Sequence, residues 1–273
     1  MSLLDKIRSS LPIPRRSFHH PEPAGVLLGF ILLERAATAD ELTALMSTLP
    51  GATLSRGPAP EDPLEVALGD VHVVIASVPR PVAGHNAESN AANNTFWPEA
   101  VETVAHHHAH LVVTAMYAVD AAQHEDASPA LFQAFVRSSA ALLRHPDAIG
   151  IDLDDQGIVY EKSFYLNAVD TAGDDLPWQI AWLTWAAWES PGVSCGSTRG
   201  LRVFGHEELE VRGSSAQPSA VRELLATVAG YVVASGAALH PGEFVEYTDD
   251  RRLLISAVGG SFVDGHALRI DLP

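Results

Sequence analysis

The longest strongly apolar run in the chain is Gly25-Val-Leu-Leu-Gly-Phe-Ile-Leu-Leu33. A membrane-spanning helix needs about 20 apolar residues, so this run is too short to cross a bilayer. Short apolar runs of this kind are typical of strands that are buried in a sheet. The run therefore predicts a buried β-strand over Val26–Leu33, and the rest of the fold is built outward from it.

Helix and hairpin signals follow this strand. Thr38 is a predicted N-cap for a helix that runs to Leu49, and Glu41 stands three residues later, where it completes a capping box. Two further strands, Leu64–Leu68 and Val71–Val78, are separated by a Gly-Asp pair that favours a tight turn. The first third of the chain thus reads as strand, helix and hairpin.

The same order of elements recurs in the rest of the chain. The middle third predicts a strand at Leu111–Tyr117, a helix that begins after Ser128, and a hairpin of Ile149–Leu153 with Ile158–Tyr160. The last third predicts a strand at Leu201–Val211, a helix at Ser219–Ser235, a hairpin of Phe244–Tyr247 with Leu253–Ala257, and a final strand at Leu268–Leu272. Three strand–helix–hairpin units predict an α+β fold with mostly antiparallel sheet and helices packed on one face.

Proline and glycine predict how the chain is divided. Residues 1–23 are expected to form an extended N-terminal arm, because closely spaced prolines block both helix and central strand. The Gly- and Asp-containing stretch 170–177 predicts a boundary between an N-terminal α+β lobe over 24–175 and a C-terminal α+β lobe over 176–273. The alternative is one continuous domain.

Charge and cysteine content exclude several classes of protein. The 273 residues include 34 acidic and 17 basic side chains, which gives a formal net charge of −17. General binding to nucleic acid or to anionic lipid is therefore excluded, because phosphates would be repelled. The single cysteine, Cys195, cannot form an internal disulfide. Because the first residues also lack the apolar core of a signal peptide, we expect a cytoplasmic protein.

The densest group of potential ligands is His106-His107-His108-Ala109-His110. Closely spaced imidazoles can bind zinc or another divalent metal, and His106, His108 and His110 are the candidate ligands. The alternative is structural: a helix end runs into a strand, some of the histidines are solvated, and His110 is buried and hydrogen-bonded. Because the Glu-x-x-His companion of many metal sites is missing, no cofactor is expected.

Two other motifs are better explained by local structure. Gly192-Val-Ser-Cys-Gly196 fits the nucleophile-elbow pattern, but no helical pattern follows it, so a flexible loop of small residues is predicted. The stretch Asp152–Gly157 resembles the start of a calcium loop. Its twelfth position is Ser163 rather than an acidic ligand, which favours a hairpin turn. An enzyme is thus the less favoured interpretation.

Tryptophans cluster before the last third of the chain. Their spacing of four, three and three residues predicts one helical stripe, made of Trp178, Trp182, Trp185 and Trp188. Aromatic stripes usually pack in the core. An exposed stripe would instead bind a partner or a second copy of the chain, and Trp182 and Trp185 are the candidate residues for that role.

Three stretches of the chain carry a family resemblance: Val71–Pro81, His107–Thr114 and Thr198–Val211. Together they resemble the bacterial domain-of-unknown-function family numbered 4261. The resemblance implies a bacterial, cytosolic α+β protein. It implies no established activity, cofactor or catalytic residue.

Strong acidity without a persuasive catalytic motif favours a non-enzymatic module that binds a basic protein through an acidic face. An immunity or accessory protein that neutralises a basic toxin would be such a module. Glu207 and Glu208 join Trp182 and Trp185 as candidate partner-binding residues. The alternatives are a metal-binding protein or hydrolase centred on His106–His110, and a homo-oligomeric assembly subunit.

Overall fold

The computed structural model of the protein describes residues 20–59, 61–94, 96–118, 127–172, 182–248 and 251–273. The chain divides into two compact units. One unit is Ala24–Trp182. The other combines Leu183–Pro273 with Met1–Pro23, of which residues 20–23 are described. The arm predicted over 1–23 otherwise lies outside the described residues.

The unit Ala24–Trp182 contains one antiparallel seven-stranded sheet with the strand order β2-β3-β4-β5-β1-β6-β7. Its strands are β1 Val26–Leu33, β2 Thr53–Arg56, β3 Leu64–Leu68, β4 Val71–Val78, β5 Ala109–Tyr117, β6 Ala148–Leu153 and β7 Ile158–Glu161. Its helices are α1 Ala39–Met46, α2 Asn86–Ala91, α3 Ala100–Val104, α4 Ala127–Leu143 and α5 Lys162–Ala172.

Strand β1 is buried in the middle of this sheet, as predicted, between β5 and β6. Successive side chains of a strand point to opposite faces. A Cβ on Gly29 would lie 2.8 Å from the ring of Phe135 in α4. The neighbouring Phe30 and Leu32 pack instead with residues of α2 and α3, such as Ala91 and Val104. Helices therefore cover both faces rather than one, because β1 is apolar on both.

The other unit contains a six-stranded sheet with the order β11-β12-β13-β10-β9-β8. Its elements are β8 Thr184–Ser190, β9 Val193–Arg199, β10 Glu208–Ser214, α6 Pro218–Ser235, β11 Phe244–Thr248, β12 Arg251–Gly259 and β13 His266–Ile270. Neighbouring strands are antiparallel except β10 and β13, which are parallel. The protein is thus α+β with two mostly antiparallel sheets, as predicted. No helix in the described ranges has both the length and the apolar character that a membrane span requires.

Several elements with strong local signals form where they were predicted. Thr38 and Glu41 make both hydrogen bonds of the capping box at the start of α1. Helix α6 ends at Gly236, whose φ of 65° is left-handed, a conformation that glycine adopts without strain. The hairpins β3–β4, β6–β7 and β11–β12 are confirmed. The repeated strand–helix–hairpin unit is not confirmed, because β2, α5 and the β8–β9 hairpin interrupt that order.

Two predictions for the last third are wrong. The stretch Leu201–Val211 is not one strand: a 3₁₀ turn covers Leu201–Phe204, and β10 begins only at Glu208. Gly200 and Gly205 flank the turn with φ of 106° and 76°, which an extended strand does not accommodate. The predicted loop at Gly192–Gly196 is mostly strand β9.

Small residues in β9 let α6 pack close to the sheet. A Cβ on Gly196 would lie 2.7 Å from both the carbonyl oxygen of Ala186 and Cγ1 of Val221, and 2.9 Å from Cδ1 of Leu225. Val221 and Leu225 belong to the buried face of α6. The small side chains that suggested a loop therefore mark a close helix–sheet contact.

We predict that Gly196→Ala lowers the free energy of unfolding by about 1–3 kcal/mol, because the added methyl group overpacks this contact. The matched control is Gly230→Ala in α6, where an added Cβ meets nothing within 4 Å. That variant should gain up to about 1 kcal/mol from helix propensity. Urea unfolding of both variants measures the difference, and equal stability of Gly196→Ala and wild type would contradict the close contact.

Candidate functional site

The histidine stretch spans the end of α3 and the start of β5, and its side chains do not converge. His107 and His110 are buried, whereas His106 and His108 are exposed. Nδ1 of His106 donates to the carbonyl of Glu102, 2.7 Å away. Of the three candidate metal ligands, the structure thus places two at the surface and one inside.

His107 ties the end of α3 to the segment after β4. Its Nδ1 lies 2.6 Å from the carbonyl oxygen of Val104, and its Nε2 lies 2.9 Å from the backbone nitrogen of Val82. The carbonyl can only accept and the backbone N–H can only donate. Nδ1 therefore donates to Val104, and Nε2 accepts from Val82. Both nitrogens are used by the fold.

His110 is buried and hydrogen-bonded, as predicted. Its Nδ1 donates to the carbonyl of Arg80 at 2.8 Å, and its ring packs edge-on against Phe30. Burial lowers the pKa of His110. Among the described residues, no group of three or more His, Cys, Asp or Glu side chains is arranged to hold a metal ion. The proposed metal site rests on the sequence alone.

The tryptophans do not form a helical stripe. Trp185 and Trp188 lie on strand β8, where a spacing of three residues puts them on opposite faces. Pairing with Thr198 and Cys195 of β9 fixes them there, which local helical spacing could not reveal. Trp188 packs edge-on against Phe262. Trp178 lies outside the described residues.

Trp182 and Trp185 have different environments. Trp182 is 0% exposed and packs edge-on against Phe132 and Phe135 of α4, with ring centroids 6.0 and 5.1 Å apart. The structure therefore places it in the core of its unit rather than at a surface. Trp185 is half-buried on β8.

Glu207 and Glu208 are both buried at the start of β10. Glu208 Oε2 accepts from the hydroxyl of Thr198 at 2.7 Å, and Oε1 accepts from the backbone N–H of Gly200 at 2.8 Å. Burial raises the pKa of Glu208, and these hydrogen bonds oppose that rise. Glu207 lies 3.5 Å from the guanidinium of Arg202. These carboxylates hold the 3₁₀ turn against the sheet.

A groove of about 390 Å³ opens between α6 and β11. Four buried apolar side chains form its floor, namely Leu224, Val228, Leu239 and Val245. Tyr231 and Tyr247 are half-buried at its sides, and Glu223 supplies a carboxylate. Glu246 lines the edge of the groove from β11, with its side chain on the opposite face of the strand from Val245. Sequence reasoning missed this site because it depends on how far the helix lies from an edge strand. The one local signal was the tyrosine that each element contributes.

Three histidines meet in the same unit. The ring of His20 lies 5.1 Å from that of His240 and 6.3 Å from that of His206, measured between centroids. Burial, followed by the neighbouring His20, lowers the pKa of His206 to about 4. Burial and His240 also lower the pKa of His20, against an opposing effect of Glu243. Protonation of His20 and His206 is therefore disfavoured.

Asp152 is a buried carboxyl of the unit Ala24–Trp182 whose surroundings disfavour the charged form. It is 0% exposed, and Oδ1 accepts from the side-chain amide of Asn90 at 2.8 Å. Oδ2 has no hydrogen-bond partner within the part of the chain that the structure describes. Burial raises the pKa of Asp152 to about 6, and Asp154 and Glu88 add to the rise. The predicted hairpin turn over 152–157 is confirmed.

The fold and the groove define an α+β protein with a candidate binding cleft in its last third. Residues 197–271 match the family model described as Domain of unknown function (DUF4261). This segment is therefore similar to that family, and the predicted resemblance is confirmed over the third of its three stretches. The matched segment contains the groove. No curated protein and no solved structure matches the chain.

We predict that His107→Ala and His110→Ala each lower the free energy of unfolding by about 1–3 kcal/mol, because the first removes the acceptor of the Val82 N–H and the second removes the donor to the Arg80 carbonyl. The exposed His108→Ala is the control and should stay within about 0.5 kcal/mol of wild type. Thermal and urea unfolding measure this, and a wild-type melting temperature for His110→Ala would contradict the structural role.

The loss of stability in His110→Ala should depend on pH, in a direction that follows from the pKa of His110. The folded-state pKa of His110 lies below its ordinary value of 6.5, so the unfolded chain binds the proton more tightly. The stability that depends on the neutral ring is complete above pH 6.5 and is lost as the pH falls below that value. His110→Ala should lose less stability on acidification than wild type.

We predict that Asp152→Asn is more stable than wild type at neutral pH by about 1–3 kcal/mol. The folded-state pKa of about 6 exceeds the ordinary value of 3.8, so protonation favours the folded state. The contribution of Asp152 is therefore largest below pH 3.8 and is lost as the pH rises through 6. An amide keeps the shape of the protonated carboxyl and removes that loss.

Urea unfolding across this pH range measures the effect, with the exposed Asp155→Asn as the control. The control should follow the wild-type pH profile. If Asp152→Asn were less stable than wild type at every pH, the buried carboxylate would be a stabilising group, and the stated cause of its pKa shift would be wrong.

Proposed function

We propose that the protein is a non-enzymatic protein-binding module and that its binding surface is the groove between α6 and β11. The observation that carries the proposal is the groove itself, an apolar floor with two tyrosines and Glu223 around it and Glu246 at its edge. Its volume of about 390 Å³ leaves room for side chains of a partner. Tyrosine is among the residue types enriched at protein interfaces.

The charge of the chain supports a basic partner. A net charge of −17 attracts a basic protein at long range, and Glu223 and Glu246 place acid groups at the groove. The candidate residues chosen from the sequence give less support, since Trp182, Glu207 and Glu208 are buried. In this proposal, Tyr231, Tyr247 and the two groove carboxylates take over the partner-binding role.

An immunity or accessory protein that neutralises a basic toxin would use a surface of this kind. We propose that role in the cytoplasm of a bacterial cell, in keeping with the resemblance described above. The side chains that line the groove are mainly aliphatic, tyrosine and threonine. That composition suits the docking of a peptide chain.

We predict that native mass spectrometry of untagged protein, recovered gently from its own cells, detects a stoichiometric complex with a second, basic protein. The complex should weaken markedly between about 0.1 and about 1 M salt, because salt screens charge attraction. A chain that carries one metal ion and no protein would support the metal-binding alternative instead. A chain found alone, or only with copies of itself, would contradict the proposal.

A charge variant tests the surface within that complex. Glu223→Gln with Glu246→Gln should slow association about 3- to 10-fold at low salt and reduce its salt dependence. The matched control is Asp154→Asn with Asp155→Asn, which removes two exposed carboxylates from the other unit. If both double variants slow association equally, the net charge acts without the groove, and the proposed surface is wrong.

A further inference from the structure

Strand β11 is one of the two edge strands of the six-stranded sheet, and it forms one wall of the groove. The backbone N–H and C=O groups on the outer side of an edge strand can pair with an added strand. The groove therefore combines two features in one place. One is an apolar cleft that can hold side chains, and the other is a row of backbone N–H and C=O groups that can form hydrogen bonds with an added strand.

The register of β11 shows which backbone groups face outward. Val245 pairs with Leu253, and the N–H of Ile255 donates to the carbonyl of Glu243. Hydrogen-bonded and non-hydrogen-bonded positions alternate along an antiparallel pair. Because Glu243 and Val245 occupy the positions bonded to β12, the N–H and C=O groups of Phe244 and Glu246 point away from it. These are the groups that an added strand would meet.

Helix α6 presents a regular stripe to the same cleft. Glu223, Thr227 and Tyr231 are spaced four residues apart, so they lie on one side of the helix. The stripe starts with a carboxylate, continues with a small side chain and ends with an aromatic ring. Opposite it, Tyr247 and Glu246 belong to β11.

We propose that the groove receives an extended segment of a partner protein, which adds to β11 as a further strand. The segment places an apolar side chain between Tyr231 and Tyr247 and a Lys or Arg side chain near Glu223 or Glu246. Alternate residues of a strand point to the same face, so apolar side chains two residues apart face α6. This inference rests on the proposed function and names the kind of segment that the module binds.

Charge selects a foreign basic segment over a second copy of the chain. The described residues that line the groove include two acidic residues, Glu223 inside it and Glu246 at its edge, and no Lys or Arg. Arg252 of β12 pairs with Glu246, but it is not among the residues that line the groove. Its guanidinium lies over the ring of Phe244, 5.9 Å from the ring centre. Two copies joined at this edge would bring together chains of −17 each. That repulsion disfavours self-association.

A displayed library of random nine-residue peptides, selected against the whole protein, tests the proposal. The enriched peptides should carry apolar residues at alternate positions together with Lys or Arg. Thr227→Trp, which fills the groove from an exposed helix position, should weaken their binding about tenfold or more. The matched control is Ala234→Trp, at an exposed position of the same helix outside the groove. It should leave binding unchanged.

Backbone pairing is tested on the best peptide of that selection. Methylation of single backbone nitrogens should weaken binding about tenfold at every second residue and have little effect between them, since only alternate N–H groups face β11. Hydrogen exchange at the amides of Phe244 and Glu246 should slow when the peptide is bound. Circular dichroism of Thr227→Trp and Ala234→Trp checks that both variants fold.

Each contrary result overturns the inference. The selection could enrich no peptides, or it could enrich acidic ones. The selected peptides could bind Thr227→Trp and wild type equally well, or methylation could be tolerated at every backbone nitrogen. A dimer in solution that Thr227→Trp dissociates would assign the groove to a second copy. A natural complex that survives Thr227→Trp would refute the inference alone, whereas a protein without any natural partner would refute the proposed function.

Discussion

The seven-stranded sheet depends on one constraint: β1 is apolar on both faces, so it must be covered on both. Helix α4 approaches one face so closely that Gly29 leaves no room for a side chain, while α2 and α3 cover Phe30 and Leu32 on the other. To provide that second cover, the chain must leave β4, cross the sheet and return to β5. His107 fixes this crossing, because it joins Val104 at the end of α3 to Val82 after β4. The burial of His107 is thus explained by the route of the chain.

The six-stranded sheet also has two faces to cover, and different groups cover them. Helix α6 covers one face, and buried carboxylates anchor loops over part of the other. Glu208 accepts from the backbone of Gly200, and Glu210 accepts from the backbone N–H groups of Ser261 and Phe262. A buried carboxylate that accepts several N–H bonds is satisfied without a solvent contact. The loops on this second face do not reach the edge strand β11, since Phe244 of β11 and Leu254 of β12 are 38% and 37% exposed.

Sequence signals that span only a few residues predicted helices, strands and turns well. Structure that depends on pairing between residues distant in sequence was not predicted. The cap at Thr38, the hairpin turns and the end of α6 at Gly236 depend on nearby residues, and the structure has them where the sequence placed them. The tryptophan spacing predicted a helix, but pairing with β9 makes that segment a strand. The acids of β10 have the pattern of an exposed face, yet loops distant in sequence cover them. The groove escaped prediction for the same reason, because it is a distance between two elements.

The groove is also a place where larger side chains would make the folded protein more stable. Ala220 and Thr227 line it from α6, and both are small. A leucine or methionine at either position would bury further methylene groups, each worth about 0.8 kcal/mol. The rest of this helix face is filled by Leu224 and Val228, which are almost fully buried. Small side chains beside an edge strand therefore keep open a cleft that packing alone would close. The apolar surface left in it is recovered only when another chain occupies it, which is why an open cleft at this edge argues for a partner rather than for imperfect packing.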